Sequence, residues 1–391
     1  MQYKQNALPK NKLESSERIV GIEILRIVSM LMVISIHYWG GGRAVPEFTD
    51  DWLPLGLVES FCAGAVNIYA LISGYVMYGK KHSILRIISL WLEVLIISVF
   101  GLVAQMIFAF DTVSAKSVVQ SFFPFLSGRH WYFSAYIMLY LLIPFLNTVI
   151  ENSSAQQANR LILILLSVFS VASTASIIIG DPGIFGLNAG FSVTWLAVLF
   201  LIGAYINKFR NCLIVSKLLN NRLLCMILAM ICGLAIFAIL LIVTLLKGKI
   251  PYISILLAPA YYRYFTPLVV TQSILIFFSC VNLKATCETV NRVILCLGPL
   301  TFGIYIIHVL PAFQVIVLPY LKQIQACNDR LSFIISAVNI IWIFLGCALL
   351  SFVFRGVFGG ITRKSARWLQ KKINNLYGAQ SSYETKDANN R

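Results

Sequence analysis

Two ionisable side chains, Arg26 and His37, stand eleven residues apart in the first long apolar segment, ERIVGIEILRIVSMLMVISIHYWG. Near neutral pH a histidine can act as a general base or as a nucleophile. On a helix, eleven residues return to within about 20° of the same face and span about 16 Å. Glu23 lies one turn before Arg26 and can balance its charge. Since ionisable groups are costly in lipid, the segment is predicted to be a membrane helix with a functional polar face.

The helix that carries this face belongs to a chain that is apolar throughout. Hydrophobic residues make up 59% of the 391 positions, charged residues make up 12%, and the mean hydropathy is +0.83. This composition excludes a large soluble domain and predicts an all-α polytopic membrane protein. Stretches near the ~20 residues that cross a bilayer recur and predict about ten transmembrane helices. They lie at 19–39, 55–78, 84–108, 131–150, 160–180, 191–207, 223–246, 262–281, 292–319 and 331–355.

The basic residues indicate how these helices are oriented. With an even number of spans and the N-terminus inside, most of the 31 Lys and Arg residues fall in inner loops and tails, as the positive-inside rule requires. Both termini are therefore predicted to be cytoplasmic. Topology and contact with anionic membrane lipid account for the net charge of +16, so no nucleic-acid partner is expected. The predicted organisation is an N-terminal tail at 1–18, a membrane domain at 19–355, and a basic tail at 356–391 with an interfacial helix.

The first inner loop, YGKKHSILR, holds three cations: Lys80, Lys81 and Arg86. The positive-inside rule by itself accounts for their presence. A cluster of cations at helix ends is also where a phosphate-bearing cofactor can dock from the cytoplasm. The spacing alone leaves both interpretations open.

A second intramembrane histidine, His308, lies in the predicted ninth span, with Tyr305 one turn before it. His308 can bind a substrate, support the same cavity as His37, or serve a structural role. Trp131 and Tyr136 open the fourth span, where they can form a platform for a sugar or anchor the helix at the membrane surface. No spacing of Cys or His suits zinc, and no metal is expected.

Four segments resemble the membrane acyltransferase-3 family. The first is GIEILRIVSMLMVISIH, with an acidic residue, an Arg three positions on, and a His after ten more residues. The others are NIYALISGYVMYGKK, HWYFSAYIMLYLLIPFLN and LTFGIYIIHVLP. They occur in the order that the family has, and the resemblance covers about residues 17 to 355. Ten spans also match the architecture of that family.

The resemblance implies an O-acetyltransferase of the bacterial cell membrane. Such an enzyme would move acetyl from acetyl-CoA to a hydroxyl of a capsule or exopolysaccharide, or of its lipid-linked precursor. It implies that His37 is the catalytic base or a transient acyl carrier, and that Arg26, oriented by Glu23, holds a donor phosphate or the thioester. The cations of the first inner loop are then expected to bind the nucleotide phosphates of acetyl-CoA.

Two other classes of protein fit the composition. A flippase, transporter or polymerase of polysaccharide assembly also needs many spans and buried charges. The chain shows no inverted repeat and no matched pair of helices broken by Gly or Pro, which disfavours that class. A membrane scaffold or receptor would not require Arg26 and His37 on one helical face.

Overall fold

The computed structural model describes residues 18–40, 52–80, 82–180, 185–246, 263–285, 287–326 and 331–388. Within these ranges the regular secondary structure is helical, and no strand occurs. Each of the ten predicted apolar stretches overlaps one or more of the described helices. We number the α-helices of the described residues α1 to α16 in chain order.

Their bounds are α1 Val20–Gly40, α2 Trp52–Cys62, α3 Ala65–Met77, α4 Ile84–Phe108, α5 Ala115–Phe122, α6 Trp131–Glu151, α7 Ala155–Leu166, α8 Ser173–Ile178, α9 Val193–Lys208, α10 Leu213–Asn220, α11 Arg222–Leu246, α12 Pro267–Cys280, α13 Glu288–Leu297, α14 Thr301–His308, α15 Leu318–Ala326 and α16 Ser332–Ala388. A π-helical stretch joins α7 to α8 and another precedes α15.

Eight helical stretches among the described residues are long and apolar enough to cross a membrane. A ninth results if α9 and α10, which meet at 90°, count as one bent span. Helix α12 is also apolar but has only 14 residues. The predicted class, an all-α polytopic membrane protein, is thus confirmed, with eight or nine elements of spanning length where about ten were predicted. The cytoplasmic location of both termini stays a prediction.

Helix α3 packs against α1, α9 and α12 and is buried along most of its length. It meets α9 through a reciprocal glycine contact. A Cβ on Gly74 would overlap the carbonyl oxygen of Phe200, and a Cβ on Gly203 would overlap that of Leu71. Small residues let two membrane helices approach closely, which strengthens their packing where lipid supplies no hydrophobic driving force. The α3–α9 pair therefore forms one fixed wall of the bundle.

Helix α1 connects this wall to a second group of helices. In that group α4 packs against α14 and α16. Helix α1 contacts α2, α3 and α12 of the first group and α13, α14 and α16 of the second. Side chains on α1 can therefore meet residues that lie far apart in the sequence.

The predicted ninth span, 292–319, is interrupted in the structure. Helix α13 ends at Leu297, a 3₁₀ turn at Gly298–Leu300 follows, and α14 ends at His308. Pro299 in the turn lacks a backbone N–H and removes one α-helical hydrogen bond. The turn leads directly into α14.

The last helix, α16, continues beyond the boundary predicted at 355 and runs unbroken from Ser332 to Ala388. No proline follows residue 331, and an interior glycine costs a helix only about 1 kcal/mol. The pair Gly359 and Gly360 therefore does not end it. The predicted interfacial location of its basic end stays a prediction.

Candidate active site

A cavity of about 560 Å³ follows helix α1 from its first turn to its last. The α1 residues that line it recur every three or four positions, which places them on one helical face. They are Ile22, Glu23, Arg26, Met30, Val33, Ile36 and His37, with Ile19 just before the helix. Arg26 and His37 thus lie on the same wall of one cavity.

Glu23 and Arg26 form an ion pair on this wall, with Arg26 Nη1 2.6 Å from Glu23 Oε1. The Glu23 side chain is enclosed, whereas that of Arg26 is 25% exposed. Glu23 packs against Gly298, where a Cβ would overlap the carboxylate. Its other oxygen, Oε2, has no hydrogen-bond partner among the described residues. The carboxylate is therefore held between α1 and the 3₁₀ turn, and its guanidinium partner lines the cavity.

Several cations line the cavity near the beginning of α1, and we call them the basic end. Lys80 follows α3, and Arg86 lies in the first turn of α4. Arg86 stands over the ring of Tyr140, with its guanidinium carbon 5.9 Å from the ring centroid. Lys81 lies outside the described residues. The basic end consists of Arg18, Arg26, Lys80, Arg86 and Arg355.

Arg355 reaches the basic end from α16. Its Nε donates to Glu93 Oε1 at 3.0 Å, and its Nη1 donates to the carbonyl oxygen of Pro299 at 2.7 Å. Glu93 comes from α4, so the pair joins α4, α16 and the 3₁₀ turn. Among the described residues that line the cavity, Glu23 is the one carboxylate. Positive charge therefore dominates this end.

At the other end of α1, His37 meets His308, which ends α14 and lies 271 residues later. Nδ1 of His37 is 2.9 Å from Nε2 of His308, and the two rings stack with centroids 5.0 Å apart. Nδ1 of His308 is 2.9 Å from the carbonyl oxygen of Ile304. His308 is 1% exposed and is not among the described lining residues. The structure therefore places His308 behind His37 rather than on the cavity wall.

An aromatic wall also lines the cavity, formed by residues that all belong to its lining. Tyr132 stacks with Tyr136 at a centroid distance of 6.3 Å and meets Tyr305 edge-on at 6.0 Å. Trp131 stacks with Tyr264 at 6.3 Å. The hydroxyl of Tyr305 is enclosed and has no hydrogen-bond partner among the described residues. The predicted substrate residues Tyr305, Trp131 and Tyr136 are thus brought together, whereas His308 is not part of this wall.

His130 precedes α6 and stands beside the aromatic wall, with its ring centroid 6.3 Å from that of Tyr305. It is 1% exposed, and neither ring nitrogen has a hydrogen-bond partner among the described residues. Burial and, to a smaller extent, the neighbouring charge of Arg129 together lower the pKa of His130 to about 3. His130 is therefore neutral near pH 7.

The structure adds cavity residues that sequence reasoning did not select. Arg355 is one of these residues. The sequence feature that could have indicated it is an Arg at the end of the last apolar segment, together with an acidic residue, Glu93, inside the third apolar segment. Tyr69 is another, since its hydroxyl donates to the carbonyl oxygen of Arg26 at 2.7 Å. Tyr264 is a third. No sequence signal distinguishes these tyrosines, because tyrosine is common in membrane helices and at their ends.

A bundle of apolar helices around a cavity lined by cationic side chains and an imidazole is typical of an integral membrane protein that acts on a polar substrate. A family model described as an acyltransferase domain matches residues 19–358. The chain therefore belongs to the membrane acyltransferase-3 family and is a multi-pass membrane acyltransferase. Comparisons with curated proteins and with solved structures return no match.

Proposed function

We propose that this acyltransferase is an O-acetyltransferase of the bacterial cell membrane, which transfers acetyl from acetyl-CoA to a hydroxyl of a surface polysaccharide or of its lipid-linked precursor. One observation carries the proposal: a single cavity has arginine and lysine side chains at one end and an imidazole at the other. A capsule or exopolysaccharide is the acceptor class that the resemblance of the four sequence segments supports.

The basic end suits the phosphates of coenzyme A. Arginine binds phosphate oxygens in pairs through its planar guanidinium, and lysine adds a compact charge. Arg26 and His37 are about 16 Å apart along the helix axis. An extended pantetheine arm that starts at the basic end would bring its thioester toward His37. The ion pair with Glu23 holds Arg26 in place on this path.

Acyl transfer can follow a direct route from this arrangement. His37 takes the proton of the acceptor hydroxyl as the hydroxyl oxygen attacks the thioester carbonyl carbon. A C–O bond forms, the C–S bond breaks, and the departing thiolate receives the proton from His37. The products are one ester and one free thiol.

A two-step route uses the same residues. The imidazole of His37 first attacks the thioester carbonyl, which gives an acyl-imidazole and releases the thiol of coenzyme A. The acceptor hydroxyl then takes the acyl group and returns His37 to its neutral form. The two routes differ in whether label from the donor is ever bound covalently to the protein.

The aromatic wall supports a carbohydrate acceptor. Apolar faces of sugar rings pack against aromatic side chains, while tyrosine and tryptophan also offer polar atoms. Trp131, Tyr132 and Tyr136 line the same cavity as His37 and the basic end. A sugar bound there can direct a hydroxyl toward His37.

The test is incubation of the purified protein in detergent with radiolabelled acetyl-CoA and the glycan of its own cell. We expect label in alkali-labile esters of the glycan and one free thiol for each ester. The matched control is His37→Gln, which keeps a polar side chain and removes the imidazole. A polysaccharide flippase, transporter or polymerase, the competing function, would release no thiol and leave the glycan unlabelled.

A further inference from the structure

The contact between the two histidines determines which nitrogen of His37 carries a hydrogen. Nδ1 of His308 is 2.9 Å from the carbonyl oxygen of Ile304, one turn earlier in α14. A carbonyl oxygen can only accept a hydrogen bond. Nδ1 of His308 therefore carries a hydrogen and donates it to Ile304.

His308 is neutral in this setting. Its side chain is 1% exposed, and none of the described carboxylates forms an ion pair with it. An enclosed charge without a partner is costly, so the neutral ring is favoured. A neutral imidazole has one N–H, and here Nδ1 holds it. Nε2 of His308 is therefore a bare acceptor.

That acceptor fixes the state of His37. Nδ1 of His37 lies 2.9 Å from Nε2 of His308 and must donate to it. Neutral His37 then has its lone pair on Nε2. His37 lines the cavity, and none of the described residues forms a hydrogen bond with its Nε2. Because His308 occupies the Nδ1 side, the free lone pair is the one available to a substrate in the cavity.

We propose that His308 is a positioning residue, which holds His37 in the tautomer whose Nε2 takes the acceptor proton or attacks the thioester. The inference deepens the proposed function and rests on it for the reaction itself. In serine hydrolases a buried carboxylate orients the catalytic histidine. In this protein the neutral imidazole of His308 takes the place of that carboxylate. Its hydrogen bond to the Ile304 carbonyl oxygen holds it in position, and this arrangement buries no negative charge. The hydrogen bond between the two histidines also stabilises His37 when it gains a proton during turnover.

Two amide substitutions separate this role from packing. In His308→Gln the longer side chain places an amide oxygen near the position of Nε2, so an acceptor for His37 remains. In His308→Asn the shorter side chain reaches only the position of Nδ1, and that acceptor is lost. We expect His308→Gln to keep kcat within about tenfold and His308→Asn to lose about 1000-fold, since a wrong tautomer costs the serine-hydrolase histidine about 10⁴. The KM for acetyl-CoA should stay unchanged in both.

A spectroscopic measurement tests the tautomer without turnover. The chain has four histidines, so histidine labelled with a nitrogen isotope gives a small set of ring signals in the detergent-solubilised protein. Comparison with His37→Gln assigns the signals of His37. We expect a protonated Nδ1 and a bare Nε2 at His37 in the wild-type protein and in His308→Gln, and a mixture of tautomers in His308→Asn.

A matched control removes a comparable side-chain bond elsewhere. Ser336 in α16 donates to the Ser332 carbonyl oxygen at 2.7 Å, also one turn earlier, and does not line the cavity. Ser336→Ala should keep its turnover. A hydrogen on Nε2 of wild-type His37, or wild-type turnover in His308→Asn, would overturn the inference. If the wild-type protein shows the expected tautomer but releases no thiol from acetyl-CoA, the proposed function fails and the tautomer assignment stands.

Discussion

The two ends of the cavity differ in how many side chains share their proposed function. At the histidine end, the proposed reacting group is one side chain, His37, and one hydrogen bond between α1 and α14 joins it to His308. At the basic end, five cations from several parts of the chain share the positive charge. A function that depends on one group is lost with that group, whereas a shared function weakens by steps. We therefore expect changes at the histidine end to lower kcat and changes at the basic end to raise KM.

The largest effect is expected for His37→Ala. General base catalysis contributes about 10² to 10⁴ in rate, so kcat should fall by about 1000-fold or more. The amount of protein in the membrane should stay normal, because the His37 side chain lines an existing cavity and its truncation only enlarges that cavity. Thiol release and quantitative immunoblotting of membranes measure the two quantities. Transfer at the wild-type rate would remove His37 from the reaction.

Arg26 combines features of both ends of the cavity. It is one of the five cations of the basic end, but it also forms an individual ion pair with Glu23. Arg26→Ala leaves an enclosed carboxylate without its partner, and we expect kcat/KM to fall by about 100-fold and the Tm to drop, because broken buried pairs are strongly destabilising. Arg26→Lys keeps the charge but loses bidentate contacts, so kcat/KM should still fall by about tenfold.

The control for Arg26→Ala is the double variant with Glu23→Gln, which removes the stranded charge. It should regain Tm without regaining kcat/KM. Recovery of both Tm and kcat/KM would mean that Arg26 contributes to the stability of the protein and not to the reaction.

A smaller effect is expected for Gly298→Ala. The added methyl would overlap the Glu23 carboxylate, and overpacking typically costs about 1–3 kcal/mol. Displacement of Glu23 also moves Arg26, so kcat/KM should fall by about tenfold, since small misplacements cost up to about 100-fold. Gly346→Ala in α16 is the control, because no atom of the described residues outside its own helical turn lies within 4 Å of the added carbon. Equal Tm and activity in the two variants would show that the turn does not position Glu23.

The smallest effect is expected for Lys80→Glu. One of five shared cations changes sign, so the KM for acetyl-CoA should rise by about fivefold at low salt and by less at 0.1 M salt, where the Debye length is about 10 Å. Lys364→Glu makes the same charge change on an exposed part of α16 that does not line the cavity. Equal KM values for the two variants would support the topological explanation of the first inner loop.

The relative positions of side chains on one helix could be predicted from the sequence. Glu23, Arg26 and His37 share a face of α1 because helix geometry fixes the direction of each side chain from its position. The contact between His37 and His308 could not be predicted, since 271 residues separate them. Their distance depends on how α14 packs against α1, and no period in the sequence encodes that packing.

The same limit explains the other differences between prediction and structure. Hydropathy located all ten apolar stretches, because burial in lipid demands apolar composition. It did not predict that the ninth stretch contains a 3₁₀ turn at Gly298–Leu300, nor that Arg355 and Glu93 form a pair. Both features depend on contacts with other helices rather than on average composition.

The separation of binding from chemistry along α1 is tested most directly by measuring acetyl-CoA binding and acyl transfer in parallel on His37→Ala. Since the proposed role of His37 is on the reacting atoms and not on the phosphates, the Kd should stay within about twofold of the wild-type value while transfer falls below detection. A Kd that rises in step with the loss of transfer, or transfer that persists, would contradict that separation.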